Sequence, residues 1–538
     1  MSAELLVREF DRAIEASGSV DLLRGFVLDL AVRGRLVPQD SHEQPALDQL
    51  ERIGISALAL SDIQPYPAPP GWSWAHLGDF MRHETESVDS THEPNTQFCL
   101  WSVPSYFDGR PELVVGRDLG SSKRRIALGD ILLSKINPHL NRVWLTGGFD
   151  NLPQIASSEW LVINPRGVSR PLLKYFLTSP YFLAEFSSIL TGIGGSLRRV
   201  RPTDARAKRI PIPPRAEQDR IVAKVDELMA LCDQLEAAQT EREARRDRLR
   251  AASLHRLAAS DGEAKPGSAD VRFFLDTSPR LITKPEHIAA LREAILDLAV
   301  RGRLLPRANL WNGKPDYSRD LAPVTGSFKV PTGWRWLSVA QIGTARLGKM
   351  LDKAKNRGVP HRYLRNVNVR WFGFDLSDVK TMLFDNDELS QFALRPGDVL
   401  ICEGGEPGRA AVWDARETDI YFQKAIHRVR LYDWVVPQFF VLYLRARAYA
   451  GGLIAHSTGA TFHHLTGQGL ASLPVPIPPP DEQHNIVAKV EELMVLCDHL
   501  EAALASAQDG RARLLEALVH EALEGGAVRN SVEMGTAV

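Results

Sequence analysis

The sequence is poor in cysteine and has no long apolar run. Four cysteines occur in 538 residues, none in a CxxC pair and none in a His/Cys cluster with zinc-ligand spacing. No stretch of about 18 apolar residues is present. The first residues, MSAELLVREFDRAIEA, carry charges where a signal peptide has its apolar core. These absences predict a cytoplasmic protein without disulfides, structural metal or a membrane partner.

Motifs of catalysis and nucleotide binding are equally scarce. No glycine-rich loop ends in Gly-Lys-Ser/Thr, and no [DNS]-P-P-[YFW] loop of a DNA amino-methyltransferase occurs. Asp398 and Glu403 lie close together, as in a nuclease, but the aligned first half lacks a second acid. We interpret that segment as a strand entered through a Gly-Asp turn. A dispersed Ser/His/Asp set stays open, and the sequence otherwise predicts no catalytic residue, no metal site and no cofactor.

What the chain does contain is an internal repeat. EQDRIVAKVDELMALCDQLEAA (217–238) and EQHNIVAKVEELMVLCDHLEAA (482–503) share 17 of 22 positions. LDLAVRGRL occurs unchanged at 28–36 and 296–304, and weaker pairs in the same order include PPGWSW (69–74) with PTGWRW (331–336). The period is far too long for a solenoid. The repeats indicate duplication of a whole unit and predict pseudo-two-fold symmetry.

The copied segments predict helices. Apolar residues after each IPIPP segment recur with heptad spacing, which is typical of a coiled coil. The predicted seam positions are Ile221, Val225, Leu228, Cys232 and Leu235 in the first copy, and Ile486, Val490, Leu493, Cys497 and Leu500 in the second. Shorter helices are expected at 19–34 and 286–302, with Gly34 and Gly302 as C-terminal caps.

Two regions with a different residue pattern separate the helices. Residues 70–210 and 331–474 alternate short apolar runs with Gly, Pro, Asn and Asp, and they differ far more than the helices do. The predicted fold class is α+β, with two α/β-mixed variable domains joined by long antiparallel coiled-coil helices. The remaining predicted segments are a helical N-terminus (1–40), a long helix (215–259), a linker (260–280), a short helix (281–306), a second long helix (480–523) and a flexible tail (524–538).

Basic clusters inside the variable domains suggest nucleic acid, although the net charge is only −1. Solvated loops are the alternative interpretation. The basic run 242–250 is interleaved with acids and is interpreted as the outer face of a helix. The candidate DNA-binding residues are Lys123, Arg124, Arg125, Arg198, Arg199, Arg201, Lys349, Lys353, Lys355, Arg370, His463 and His464.

The order LDLAVRGRL, GW, variable domain, PIPP and EQxxIVxxVxxLMxLCDxLE, given twice, resembles the specificity subunit of type I restriction–modification systems. The resemblance covers nearly the whole chain. It implies that each variable domain is a target-recognition domain for one half of a split site in double-stranded DNA. It also implies central helices that set the spacing and bind two modification subunits. S-adenosylmethionine, ATP and Mg are then expected on those subunits and on the restriction/translocase motor subunits, and none in this chain.

Two other interpretations remain at this stage. The chain could be a fragment of an all-in-one restriction enzyme, which the missing motifs disfavour. It could also be a coiled-coil bridging protein that binds DNA without reading sequence. Divergent domains between nearly unchanged helices favour sequence readout over bridging.

One loop position differs between the copies in the way that base reading requires. Arg198, Arg199 and Arg201 follow TGIGGS, and the aligned segment TGATFHH (458–464) carries His463 and His464 instead. Phosphate binding would tolerate arginine in both copies. We therefore expect this loop to approach DNA in both domains.

Overall fold

The computed structural model describes most of the chain. The described residues are 13–16, 18–58, 66–82, 86–91, 93–147, 151–189, 198–259, 277, 280–305, 321–352, 354–414, 417–451, 453, 457–458 and 464–534, with the backbone alone at 257–259, 457–458 and 524–534. The chain divides into two compact units, residues 1–241 with 508–538, and residues 242–507.

The first unit combines helices with three small sheets. Its helices are α1 (Ser19–Val32), α2 (Ala46–Arg52), α3 (Leu77–Phe80), α4 (Arg170–Thr178), α5 (Pro180–Ser187), α6 (Pro202–Arg206) and the start of α7 (Arg215–Ala259), with 3-10 turns at Pro104–Tyr106, Gly116–Asp118 and Pro138–Leu140. Its strands are β1 (Ser73–His76), β2 (Ser87–Val88), β3 (Gln97–Trp101), β4 (Glu112–Val115), β5 (Lys123–Arg125), β6 (Ile131–Ser134), β7 (Val143–Leu145), β8 (Gln154–Ala156), β9 (Trp160–Ile163) and β10 (Arg209–Ile212). The sheet orders are β2-β5-β8-β3-β4, β7-β6-β9 and β1-β10.

The second unit has the same kinds of element. Its helices are α8 (His287–Val300), α9 (Val339–Ile342), α10 (Asn386–Phe392), α11 (Pro437–Tyr449), α12 (Gly467–Ser472) and the start of α13 (Pro480–Met534), with a 3-10 turn at Asn366–Asn368. Its strands are β11 (Arg335–Ser338), β12 (Gly343–Leu347), β13 (Val359–Leu364), β14 (Val369–Arg370), β15 (Gly373–Phe374), β16 (Lys380–Phe384), β17 (Val399–Cys402), β18 (Ala410–Val412), β19 (Ile420–Phe422), β20 (Ile426–Leu431), β21 (Ser457–Thr458), β22 (His464–Leu465) and β23 (Pro474–Ile477). The two largest sheets run β12-β20-β17-β18 and β16-β13-β19.

The short helices end where the sequence predicts. In α1 and α8 the last residue is followed by Arg-Gly, and Gly34 and Gly302 take φ of 65° and 66°. A Cβ on Gly34 would lie 2.3 Å from Pro69, and one on Gly302 would lie 2.5 Å from Pro331. Glycine is therefore needed for both its conformation and the close approach of the Pro-x-Gly-Trp segment.

The Gly-Asp turn that precedes the central strand of each unit also follows prediction. Asp130 and Asp398 are buried, and each accepts a bidentate pair of hydrogen bonds from an arginine. The oxygens of Asp130 lie 2.9 Å from Arg82, and those of Asp398 lie 2.7 Å from Arg430. Because both oxygens of Asp398 are occupied in this way, the structure agrees with a strand entry and not with a nuclease carboxylate.

The seam residues of the long helices pack inside their own unit. Ile221 and Val225 are buried against α1, Trp72 and Leu172, and the copied residues Ile486, Val490 and Cys497 are buried against α8, Trp334 and Phe439. Leu228, Leu235 and Leu493 are half-buried, and Cys232 is buried.

Two predictions for the long helices are wrong. Leu500 is 36% exposed, so a buried seam does not extend to that residue. The second long helix also continues past residue 523 to Met534, where a flexible tail was predicted. Residues 535–538 and most of the predicted linker lie outside the described residues.

The buried EQ pair at the start of each long helix fastens that helix to the variable domain of the same unit. Gln218 accepts a hydrogen bond from Ser169 N at 2.8 Å, and Gln483 accepts one from Val436 N at 2.7 Å. Both donor residues precede a helix of the variable domain, α4 and α11. Because unmade bonds of buried polar groups are costly, this contact fixes the domain on the helix.

Each short helix also contacts long-helix residues through matched ion pairs. Arg24 lies 2.6 Å from both Asp233 and Glu236, and Arg292 lies 2.6 Å from Asp498 and 2.7 Å from Glu501. The same short-helix regions contact residues of the other long helix. In the first unit these are Leu514, Leu515 and Leu518, which cluster with Ala13 and Leu22. In the second unit Lys284 and His287 lie 3.2 Å and 3.5 Å from Glu243 and Asp247.

Candidate nucleic-acid interface

The candidate interface of each unit is built on one β-hairpin. Strands β6 and β7 pair from Ile131–Leu145 to Leu133–Val143, and β17 and β18 pair from Val399–Val412 to Ile401–Ala410. The connections, residues 135–142 and 403–409, are called here the first and second hairpin loops. In the first loop Asn137 and Asn141 take φ of 45° and 46°, a conformation that asparagine tolerates better than most residues.

A second segment lies beside each hairpin loop. In the first unit Asn137 N donates to Arg198 O, and Val200 N donates to Lys135 O, both at 2.9 Å. In the second unit Leu465 N donates to Glu403 O at 2.8 Å. These bonds place Val200 and Leu465 at equivalent positions. Arg199 and His464 are then equivalent too, in the same order as the sequence alignment.

The first hairpin loop carries a concentration of positive charge. Burial lowers the pKa of Lys135, and the neighbouring Arg124 and Arg199 lower it further, while Glu159 acts in the opposite direction. Arg199 pairs with Glu159 at 3.1 Å, and Arg198 and Arg201 are exposed. Two of the predicted arginines, Arg124 and Arg199, therefore lie near a lysine that sequence reasoning missed. The sequence carries no signal for Lys135, because the arginines near it are remote in the chain.

The other two residues of the predicted Lys123–Arg125 cluster are less available. Arg125 forms an ion pair with Glu86 at 2.8 Å and a second with Glu93. Lys123 Nζ donates to Ser121 O at 2.8 Å. Among the described residues, no carboxylate lies within ion-pair distance of Arg124, so Arg124 is the member of this cluster best placed for phosphate.

The basic stretch 346–370 is not a uniformly basic surface. Its cations are paired with acids that are remote in sequence, including Arg362 with Glu417 at 2.6 Å and Arg365 with Asp378 at 2.7 Å. Arg370 lies 3.4 Å from Asp375. Counting charges along the sequence could not reveal this neutralisation, because the acids come from other strands and loops.

Lys349 is inconsistent with its predicted role in DNA binding. Its side chain is 8% exposed, pairs with Glu388 and lies 4.9 Å from the centre of the Phe384 ring. A buried and paired ammonium is part of the domain's interior. Lys355, in contrast, is 86% exposed with Asp352 3.9 Å away, and it stays a candidate. Lys353 lies outside the described residues.

His464 is exposed at the second hairpin loop. A Cβ on Gly404 would lie 2.9 Å from His464 Nδ1, so glycine allows the histidine to approach the loop backbone. His427 supports the same segment from inside: its Nε2 donates to Leu465 O at 2.8 Å, and burial lowers the pKa of His427. His463 lies outside the described residues.

The part of the chain that the structure describes offers neither a metal site nor a membrane-spanning helix. Within it, no group of three or more His, Cys, Asp or Glu side chains could hold a metal ion. No helix in the same part is both long and apolar enough to cross a membrane. The four cysteines are all buried as free thiols.

Comparison with known proteins defines the class. A family described as the type I restriction modification DNA specificity domain matches residues 331–506. Two Escherichia coli proteins, the type I restriction enzyme EcoEI and EcoAI specificity subunits, are each 26% identical over 94% of this chain and 95% of their own length. The class is therefore a DNA-specificity protein of restriction–modification systems.

The fold agrees with this class. A chain in a solved structure of a type I R-M system covers 86% of this chain and 100% of its own length, at 22% identity and a TM-score of 0.51. The chain is thus similar over nearly its whole length to type I restriction–modification specificity subunits, and residues 331–506 match their DNA specificity domain.

Proposed function

We propose that each unit of this DNA-recognition subunit reads one half of a bipartite site in double-stranded DNA. The observation that carries the proposal is the pair of equivalent hairpin loops with different side chains. Lys135 and Arg199 in the first unit correspond to Glu403 and His464 in the second. The paired strands of the hairpin are equivalent in both units, but the side chains at the loop differ. Arginine and histidine present different donors to base edges, so the two loops can recognise different base sequences.

The chain acts as the non-catalytic specificity subunit, and the chemistry belongs to other subunits. Two modification subunits would bind the long helices and carry S-adenosylmethionine, and motor subunits would carry ATP and Mg. Leu231 and Leu496 support this docking, because they are exposed leucines at equivalent positions of the copied helix. Large exposed apolar side chains repeated at one position are typical of interaction surfaces.

The long helices are further proposed to run antiparallel and to set the spacing between half-sites. Contacts within the units support this arrangement. In the first unit one short-helix region contacts residues 233–236 and 514–518, and in the second the corresponding region contacts residues 498–501 and 243–247. The start of one long helix and the end of the other thus share a binding surface. Helices separated by more than about 15 Å in an experimental structure would contradict this part, because packed helices lie about 8–10 Å apart.

Reconstitution with the modification subunits tests the main proposal. The complex should methylate a site of two specific parts separated by a spacer of fixed length, detected by sequencing methylated DNA from a random library. The isolated chain should not methylate DNA. DNA binding without sequence preference in the complex would instead support a bridging protein, and methylation by the isolated chain would overturn its assignment as non-catalytic.

A further inference from the structure

Each unit exposes a phenylalanine next to its hairpin loop. Phe107 is 71% exposed and Phe372 is 53% exposed. Both lie in the same connection of the fold. Phe107 lies between β3 and its antiparallel neighbour β4, and Phe372 lies between β13 and its antiparallel neighbour β16. Both β3 and β13 also have one parallel neighbour. Their offset of 265 residues equals that of the copied long helix. Single exposed apolar residues are common, but two at equivalent positions need a reason.

The aromatic residue before each phenylalanine is an anchor. In the first unit the Tyr106 ring packs edge-on against Phe107 at 5.8 Å and against Trp144 at 5.5 Å. In the second unit Trp371 Nε1 donates to Glu406 at 2.6 Å, and the Arg445 guanidinium lies 4.7 Å from the Trp371 ring. The packed Tyr106 and Trp371 thus fix the backbone beside each exposed phenylalanine. Because this backbone is already ordered, less conformational entropy is lost when the phenylalanine binds a ligand.

Both phenylalanines are linked directly to the hairpin loops. The Arg142 guanidinium lies 5.9 Å from the Phe107 ring, and its Nη2 donates to Ile136 O at 2.9 Å. Ile136 forms a β-bridge with Arg199. Phe107 is therefore connected through one arginine to the basic segment of the first interface.

The second unit has a corresponding linkage. Phe372 N donates to Ala410 O at 3.1 Å, directly after the second hairpin loop. Phe372 also takes φ of 65°, which is rare for a residue with a bulky side chain. The domain thus keeps an aromatic residue in a strained, water-exposed position, and such strain clusters at functional sites.

We propose that Phe107 and Phe372 each stack on or insert into a base step of their own half-site. This inference rests on the proposed function and identifies further specificity-determining residues for it. Exposed aromatic rings flanked by cations are what single bases and unstacked base steps bind. A protein partner would be an alternative for an exposed ring, but the exposed Arg198 and Arg199 beside the first loop favour the polyanion.

The test uses the reconstituted complex and a duplex with the site identified by methylation sequencing. 2-Aminopurine replaces one adenine at a time, and its fluorescence rises where a base loses its stacking neighbour. With the unsubstituted complex we expect one responsive step in each half-site. Phe107→Ala should abolish the response in the first half only, and Phe372→Ala in the second half only.

Affinity gives a second readout. Each alanine variant should weaken binding of the specific duplex about 5- to 150-fold, the effect of losing one base–aromatic stack. Phe107→Trp should restore both affinity and fluorescence, because it keeps a stacking ring. Leu128→Ala is the matched control: Leu128 is 50% exposed and precedes β6, at the end of the strand opposite the hairpin loop, and its loss should change neither.

The outcomes separate this inference from the proposed function. Specific binding of a bipartite site with unchanged affinity and fluorescence in both alanine variants would overturn the stacking role and leave half-site reading intact. Loss of assembly with the modification subunits in the alanine variants, with DNA binding by the assembled fraction unchanged, would assign the rings to a protein partner and also overturn it. Absence of any specific site in the unsubstituted complex would refute the proposed function itself.

Discussion

Replacing Gln218 by methionine should loosen the recognition domain of the first unit from its long helix. Gln218 is fully buried, and its side chain makes three hydrogen bonds. It accepts from Ser169 N at 2.8 Å, and its Nε2 donates to Pro213 O at 2.9 Å and to Gln49 Oε1 at 3.0 Å. Methionine has a similar length and volume but makes none of these bonds, so the change isolates their contribution.

The expected loss is about 3 kcal/mol. Each bond contributes about 1 kcal/mol, and the Ser169 amide and Pro213 carbonyl lose a partner inside the protein, which makes this a lower bound for a rigid site. If the opening that exposes the Ser169 amide is local, its hydrogen exchange should become about 100-fold faster. Exchange at the Val436 amide, which is held by Gln483 in the second unit, should not change.

The assay is hydrogen exchange by mass spectrometry, on peptides that cover residues 168–173 and 435–440. Gln234→Met is the control, because Gln234 is exposed on the same helix and surface substitutions usually shift stability by less than about 0.5 kcal/mol. Unchanged protection of Ser169 in Gln218→Met would refute the reasoning. So would an equal loss in both units, since the bonds lie inside the first unit.

Three further predictions concern charge. Arg198→Ala should relax the first half-site only, at about 1–3 kcal/mol if the lost contact is bidentate to guanine, and His464→Ala should affect the second half only, both measured by methylation profiling. Lys355→Ala should weaken all sites alike and reduce the slope of log K against log salt by about 0.9, measured in a salt titration of binding. Burial raises the pKa of Glu388, but the hydrogen bond from Lys349 outweighs it and the pKa is lowered. The ionised carboxylate therefore stabilises the fold at pH values above its ordinary pKa. This stabilisation is lost as the pH falls through the lowered pKa. Glu388→Gln should therefore reduce the urea midpoint of the second unit at pH 7 more than at about pH 4.

Each of these predictions has an outcome that contradicts it. Equal effects of Arg198→Ala on both half-sites would contradict the proposal that this loop reads bases in the first half-site. The interpretation of the sequence as an internal duplication would not be affected. A change in sequence preference for Lys355→Ala would mean a base contact and not a phosphate contact. An equal loss of stability in Glu388→Gln at both pH values would mean that its charge is not what stabilises the fold.

Local sequence rules predicted much of the fold. Gly34 and Gly302 were predicted as helix caps because a left-handed residue that ends a helix favours glycine, and this pattern is short-range. The helix starts after IPIPP and the strand after the Gly-Asp turn were predicted for similar reasons. The burial of Leu500 was predicted wrongly, since heptad spacing gives the face of a helix and not how far its partner extends.

The candidate site was predictable in part. The alignment of Arg199 with His464 needed only the repeat. The pairing of Lys349 with Glu388 could not be predicted, because Glu388 lies on α10 and the two residues meet only in the folded domain. Lys135 was missed because a single lysine after a strand carries no signal until folding brings Arg124 and Arg199 to it. The clustering of charge is a tertiary property, whereas caps and turns are local.

The hydrogen bonds made by Gln218 and Gln483 have a consequence for how the variable domains can evolve. In each unit the donor to this glutamine is a backbone amide, of Ser169 or Val436, and a backbone amide is present whatever side chain the domain carries there. A domain with an unrelated base-reading surface can therefore dock in the same orientation, provided that its chain path is kept. The copied helices present the same glutamine in each unit, so replacing the domain between them would change the DNA-contacting surface and keep the docking contact.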